Sequence, residues 1–187
     1  MRLLLLIAAL LAGPAVAQDL QGNDTPGNWR VTHHAIFDIW NSICDERHEG
    51  GALVQRCYLR RVDVFSPRPK FAAMFLFITP DPQGFKADFG MEPGTLFPLN
   101  GFRIETMQGD SWRTRRPGCL TGLTCTFTGG DAQTLLDSMG DGGALRFTFR
   151  DRHGQAQDLS WPLAEYPAAF ADLLAQSDSR GLLRQRD

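Results

Sequence analysis

Hydrophobic and polar residues alternate along several short stretches of the chain, and this alternation predicts β-strands. The clearest stretch is residues 144–150, in which Leu145, Phe147 and Phe149 should face the core while the residues between them face water. The polar, glycine-containing residues 151–154 then predict a hairpin turn into a second strand. This part of the chain therefore predicts an antiparallel pair.

Other stretches carry the strand signal less regularly. Residues 71–79 (FAAMFLFIT) are nearly all apolar, which predicts a strand buried on both faces. Two prolines and a glycine follow this stretch and predict a turn. Further strands are expected within residues 29–40, 57–65, 86–91 and 101–107.

Two segments with helical spacing interrupt the strand pattern. Asp131 can cap a helix that ends at Gly140. Pro167 suits the first turn of a second helix, in which Leu173 and Leu174 belong to an apolar stripe. The chain shows no internal repeat and no linker between periodic segments, so one domain is the economical interpretation.

These elements together predict an all-β, single-domain, β-sandwich-like fold with one or two short helices. The domain is expected to span residues 29–176. Residues 18–28 are predicted to be a flexible lead-in, and residues 177–187 a flexible tail.

The first 17 residues are predicted to be a secretory signal peptide. Arg2 is followed by an apolar run that is too short to span a bilayer, and Ala15-Val16-Ala17 matches an A-x-A cleavage site. No later segment is apolar enough to cross a membrane, so no transmembrane segment is expected after cleavage. The predicted location is the periplasm, or the cell surface and medium after secretion.

The net charge of the 187-residue chain is −2, and removal of Arg2 with the signal makes the chain slightly more acidic. Nucleic-acid-binding domains carry basic surfaces, so no nucleic-acid partner is expected.

The four cysteines are the strongest chemical signal in the sequence. An even number of cysteines in an exported chain predicts two disulfides, and three pairings are open. We favour the local pairing, Cys44 with Cys57 and Cys119 with Cys125, because each pair can lie on facing strands joined by a loop. Neither spacing matches a zinc site or a redox C-x-x-C motif. A reversible regulatory disulfide is an alternative to a structural one.

The histidines and serines do not form a pattern that indicates catalysis. His33 and His34 are adjacent in a predicted strand, so their side chains should point to opposite faces and not share a metal. His48 and His153 lie in segments predicted to be loops. No serine occurs in a G-x-S-x-G motif. No catalytic residue, metal site or cofactor is therefore predicted.

Acidic residues are plentiful, but their pattern is that of a solvated surface. Asp45, Glu46 and Glu49 cluster with Arg47 in a segment that is predicted to be a polar loop. The glycine-rich stretches lack the spacing of a phosphate-binding loop and are predicted to be turns and helix caps.

A basic segment precedes the second cysteine pair. Trp112 is followed by Arg113, Arg115 and Arg116, and these four residues are the candidate contact with a partner. Such a segment suits an acidic protein of the envelope or an anionic lipid head group. The alternative is a solvated strand edge whose charges oppose aggregation.

The order and spacing of these features resemble the invasion-associated locus B family, an alphaproteobacterial family of exported proteins. The resemblance covers about residues 40–174 and rests on a series of short features. They are, in chain order, Trp40-Asn-Ser-Ile-Cys44, Cys57-Tyr-Leu, the hydrophobic residues 71–79, the stretches 94–100 and 101–105, the Cys119 and Cys125 pair, Leu135-Leu136, Ser160-Trp-Pro-Leu163 and Phe170.

The sequence departs from the family pattern at three places. Arg60-Arg61 stand where a glutamine often follows the second cysteine of the family. The family usually has a glycine directly before its last cysteine, whereas here Gly122 lies three residues before Cys125. Tyr166-Pro167 replace a terminal glycine-phenylalanine. The resemblance implies an all-β sandwich-like domain in the periplasm or at the cell surface. It implies no known catalytic residues.

The expected function is that of an exported, non-enzymatic interaction or accessory module. Its partner is an unknown protein or another component of the envelope, and peripheral contact with the membrane is one option. Two alternatives are kept. One is a periplasmic small-ligand or lipid-binding β-sandwich, which would have a pocket lined by Phe75, Phe77, Phe147 and Phe149. The other is a periplasmic hydrolase whose catalytic residues meet only in the folded chain.

Overall fold

The computed structural model describes residues 28–66 and 71–183. The predicted signal peptide and nearly all of the predicted lead-in lie outside the described residues.

The described chain forms ten strands and three helices. In chain order they are β1 (Arg30–Phe37), β2 (Trp40–Glu49), β3 (Ala52–Ser66), β4 (Ala72–Asp81), β5 (Gly84–Gly90), β6 (Phe102–Thr106), β7 (Gly109–Arg113), α1 (Pro117–Leu120), β8 (Cys125–Phe127), α2 (Gly129–Gly140), β9 (Ala144–Arg150), β10 (Ala156–Pro162) and α3 (Tyr166–Ser179).

The strands form two antiparallel sheets. The larger has the order β1-β2-β3-β4-β5-β8, and the smaller has the order β10-β9-β6-β7. The predicted all-β, sandwich-like fold is confirmed, and α2 and α3 are the two helices that the sequence indicates. The third helix, α1, is a single turn of four residues that the sequence pattern does not reveal.

Aromatic side chains fill the space between the sheets. Phe89 of the larger sheet lies 4.8 Å from Phe102 of the smaller one, measured between ring centroids. Phe147 lies 4.6 Å from Trp161, which in turn meets Trp40 at 6.5 Å. Each of these rings is at most 4% exposed. Burial of such large apolar surfaces is the main force that holds the two sheets together.

The alternation predicted for β9 is present. Leu145, Phe147 and Phe149 are buried, and the strand continues through a turn into β10, whose residue Trp161 pairs with Leu145. The prediction that residues 71–79 are buried on both faces is wrong. Met74 is buried, whereas Phe75 on the opposite face of β4 is 39% exposed.

The position of Phe75 has a local cause. It pairs with Gly90 of β5, and its ring lies where a side chain of residue 90 would stand: a Cβ atom there would be 1.7 Å from the ring. An aromatic ring over a strand glycine covers exposed backbone. Residues of this apolar run on one face of β4 therefore belong to the core, and Phe75 on the opposite face covers the backbone of β5 at Gly90.

The predicted polar loop around Asp45 is instead a strand. β2 and β3 form a long hairpin whose two-residue turn, Gly50-Gly51, has φ angles of +58° and +83°. Two consecutive positive φ angles define a turn that matches the twist of the flanking strands and favours glycine at both positions. His48 is likewise a strand residue and not a loop residue.

Residues 177–183, which were predicted to begin a flexible tail, pack on the domain. α3 continues to Ser179, Ser177 is buried, and Leu182 packs against the core. Among the described residues, no helix is long and apolar enough to cross a membrane.

Candidate functional site

The first disulfide joins facing strand positions, as predicted. Cys44 and Cys57 are directly opposite in the β2–β3 register, and their Cα atoms are 4.1 Å apart. Because both residues are buried, this disulfide holds the hairpin at the core.

The second predicted disulfide is also present, but its frame differs from the expected strand pair. Cys119 lies in α1 and Cys125 begins β8. Gly118 lets the loop close, because a Cβ atom there would lie 2.3 Å from the Thr124 carbonyl oxygen. The amide of Phe97 also donates to the Leu120 carbonyl at 2.8 Å, so the loop is tied to the body of the domain.

The basic segment leads into this disulfide loop from the end of β7. Trp112 is half-buried and packs against Phe102 and Phe127, with ring centroids 5.8 and 5.6 Å away. Thr114 is buried, and its amide donates to the Phe102 carbonyl. Trp112 and Thr114 thus anchor the segment, and the arginines between and after them are carried on a well-held backbone.

Arg116 is bound within the domain. Its guanidinium pairs with Asp131 of α2, donates to the Thr126 carbonyl at 2.6 Å and lies 4.5 Å from the Phe127 ring centroid. The sequence did not reveal that Arg116 is already engaged within the domain. Charge reversal at this residue would break contacts that join the segment to β8 and α2.

Arg113 and Arg115 differ from Arg116. Both are exposed, and neither side chain forms a hydrogen bond or an ion pair with a residue that the structure describes. They lie on a shallow cleft of about 200 Å³ that Trp112, Arg116 and Asp131 also line. The structure thus brings all four predicted contact residues to one cleft and leaves two cations available there.

A polar cluster around a buried carboxylate, which the sequence did not reveal, lies on β2 and β3. The Asp45 carboxylate, only 3% exposed, accepts from Arg56 Nε at 2.6 Å and from the Tyr58 hydroxyl at 3.2 Å. The hydrogen bond to Asp45 raises the pKa of Arg56. The pKa of Tyr58 is raised mainly by burial and secondly by the negative charge of Asp45. Arg56 also stacks 3.7 Å from the Trp29 ring centroid. With its partners this closely satisfied, the cluster serves to hold the hairpin.

The two adjacent histidines of β1 have separate partners, as their strand position predicts. His33 Nε2 is 2.8 Å from Asp172 Oδ2 of α3, and His34 Nε2 is 2.9 Å from Asn41 Oδ1. Over the part of the chain that the structure describes, no group of three or more His, Cys, Asp or Glu residues is placed to hold a metal ion.

The four phenylalanines that would line the pocket of a small-ligand or lipid-binding protein do not lie together. Phe147 and Phe149 are buried between the sheets, whereas Phe75 and Phe77 lie on the outer face of β4, where their ring centroids are 5.5 Å apart. These four side chains therefore line no common cavity. A different groove lies between α2 and α3.

No protein-family model, curated protein or solved structure matches the chain.

Proposed function

We propose that the protein is an exported, non-enzymatic interaction module that binds an acidic envelope partner at the Trp112–Arg116 cleft. The observation that carries this proposal is the pair of exposed guanidinium groups of Arg113 and Arg115, which have no partner among the described residues and stand on an anchored segment. Guanidinium groups bind carboxylates and phosphates in a bidentate manner. Because the backbone beneath them is held, little backbone conformational entropy is lost when a partner binds.

Export is supported by the two disulfides and by the A-x-A-terminated apolar leader. Disulfides persist in oxidising compartments such as the periplasm. The resemblance to the invasion-associated locus B family agrees with this location and stays a prediction.

The test is a crosslinking pull-down from the native envelope with the wild type and the variant Arg113→Glu/Arg115→Glu. We expect the variant to lose the captured partner and to keep the wild-type melting temperature, because neither side chain forms a hydrogen bond or an ion pair with a described residue. Arg60→Glu/Arg150→Glu is the charge-matched control, since it changes the net charge equally at other surfaces; Arg150 also donates to the Gly154 carbonyl at 3.0 Å, so the melting temperature of this variant is measured as well.

A parallel measurement separates a protein partner from a lipid one. Vesicles of phosphatidylglycerol and of phosphatidylcholine are sedimented with the same three proteins, and charge-dependent binding to the anionic vesicles identifies a lipid surface. If capture from the envelope is the same for all three proteins, the cleft is not the binding site. The double variant of Cys119→Ser and Cys125→Ser should weaken capture, because it releases the loop beside the cleft.

A further inference from the structure

A groove runs between α2 and α3 and shares no lining residue with the arginine cleft. Its volume is about 480 Å³, and its apolar lining includes Leu136 from α2 with Phe170 and Leu174 from α3. Pockets for small organic molecules usually measure roughly 300–1,000 Å³ and are mainly apolar with a few polar groups. The groove has the size and lining of such a site.

One end of the groove is negatively charged. Asp137, in the last turn of α2, and Asp141, at its C-terminal cap, both line the groove. The last turn of α2 contains no basic residue, so the partial negative charge of the helix C-terminus adds to that of the carboxylates. Neither carboxylate forms an ion pair within residues 28–66 and 71–183. This end of the groove therefore favours a cation.

One residue that lines the groove, Tyr166, has a buried hydroxyl without a partner among the described residues. Tyr166 is a lining residue, is 1% exposed, and its hydroxyl makes no hydrogen bond to any described residue. Burial raises the pKa of Tyr166 strongly, and the charge of Asp137 raises it further. The hydroxyl therefore keeps its proton and lies within electrostatic reach of Asp137. An unpaired buried hydroxyl is unfavourable, and a ligand that supplies a partner removes that cost.

We propose that this groove binds a small amphipathic organic cation. Its apolar chain or ring would pack against Leu136, Phe170 and Leu174. Its ammonium group would lie near Asp137 and Asp141 and donate an N–H bond to the hydroxyl oxygen of Tyr166.

The charge of the groove decides between this ligand class and two others. An amphipathic anion would meet two carboxylates and a helix C-terminus, which repel it. A purely apolar molecule would leave the Tyr166 hydroxyl unpaired. A single positive group on an apolar body satisfies all three features together.

The experiment compares three probes that share one apolar body: phenylbutylammonium, phenylbutanol and phenylbutyrate. Each is titrated into the full chain while methyl NMR signals of Leu136, Ala171 and Leu174 are followed. We expect the cation to shift these signals with a dissociation constant that is roughly millimolar or tighter, as suits a ligand of this size. The alcohol should bind more weakly and the carboxylate least.

Two variants test the proposed contacts. Asp137→Asn/Asp141→Asn should weaken binding of the cation about five-fold and leave that of the alcohol unchanged. Tyr166→Phe should weaken binding of the cation about three-fold or more. Asp178→Asn, which removes an α3 carboxylate that does not line the groove, is the control and should bind like the wild type.

Three results would overturn the proposal. They are equal binding of the cation and the carboxylate, unchanged cation affinity in the Asp137→Asn/Asp141→Asn variant, and shifts confined to signals outside the groove. If the groove signals move with protein concentration alone, a second copy of the chain occupies the groove instead. The arginine cleft takes no part in this experiment, so its outcome is independent of the proposed function.

Discussion

The substitution Tyr166→Phe should make the protein more resistant to alkali. The pKa of Tyr166 is raised in the folded chain, mainly by burial, so the folded state keeps a proton that the unfolded chain loses above its ordinary pKa of about 10. The contribution of Tyr166 is therefore fully present below that pKa and is lost as the pH rises above it. The slope is about 1.4 kcal/mol per pH unit, so the loss reaches about 2 kcal/mol at about pH 11.5.

The assay is urea unfolding at about pH 8 and about pH 11.5, combined with the ultraviolet absorbance of tyrosinate. The chain has two tyrosines, Tyr58 and Tyr166, so each single Phe variant leaves one phenol to observe. In the wild type, Tyr58 should ionise while the protein is folded and Tyr166 only as it unfolds. Tyr166→Phe should lose about 2 kcal/mol less than the wild type between the two pH values.

Tyr58→Phe is the control for this experiment. The pKa of Tyr58 is raised too, but its side chain is less buried, so this variant should keep most of the wild-type alkaline loss. If both phenols ionise before unfolding, or if Tyr166→Phe shows the full alkaline loss, the reasoning from burial is wrong.

Two further predictions concern the free energy of unfolding, measured in urea. Asp45→Ala should lower this free energy by about 2 kcal/mol, because it leaves Tyr58 and the half-exposed Arg56 without their acceptor. The control is Asp88→Ala, which removes a more exposed carboxylate and should cost less than about 1 kcal/mol. Equal losses would contradict the role of the buried carboxylate. Phe147→Ala should cost about 3–5 kcal/mol by opening a cavity between the sheets, and Met107→Ala, at a residue 98% exposed, should cost almost nothing. A small effect at Phe147 would mean that this ring is not central to the core.

Much of the fold followed from local patterns. The alternation of Leu145, Phe147 and Phe149 predicts a half-buried strand because side chains on a strand point to opposite faces in turn. The stripe that contains Leu173 predicts α3 for the corresponding helical reason. The local cysteine pairing was the favoured one of three, and the structure contains it.

Other features depended on contacts between distant residues. The run around Asp45 is polar enough to predict a loop, yet Arg56 and Tyr58 lie opposite or beside it on β3 and satisfy its carboxylate. Cys119 is in a helical turn and not in a strand, because the loop to Cys125 closes through the tight approach at Gly118. Neither the partners of Asp45 nor the close approach at Gly118 can be predicted from the neighbouring sequence.

Some features of the two candidate sites are likewise set by the local sequence, and others by tertiary contacts. By itself the sequence determined that a basic, tryptophan-flanked segment precedes the second cysteine pair, since residue identity and spacing are local properties. Only the tertiary structure decided that Arg116 is held by Asp131, while the side chains of Arg113 and Arg115 form no ion pair or hydrogen bond with a described residue. It alone brought Tyr166 to the groove beside Asp137. The physical reason is that pairing and burial depend on which distant groups the packed helices and sheets bring within a few ångströms.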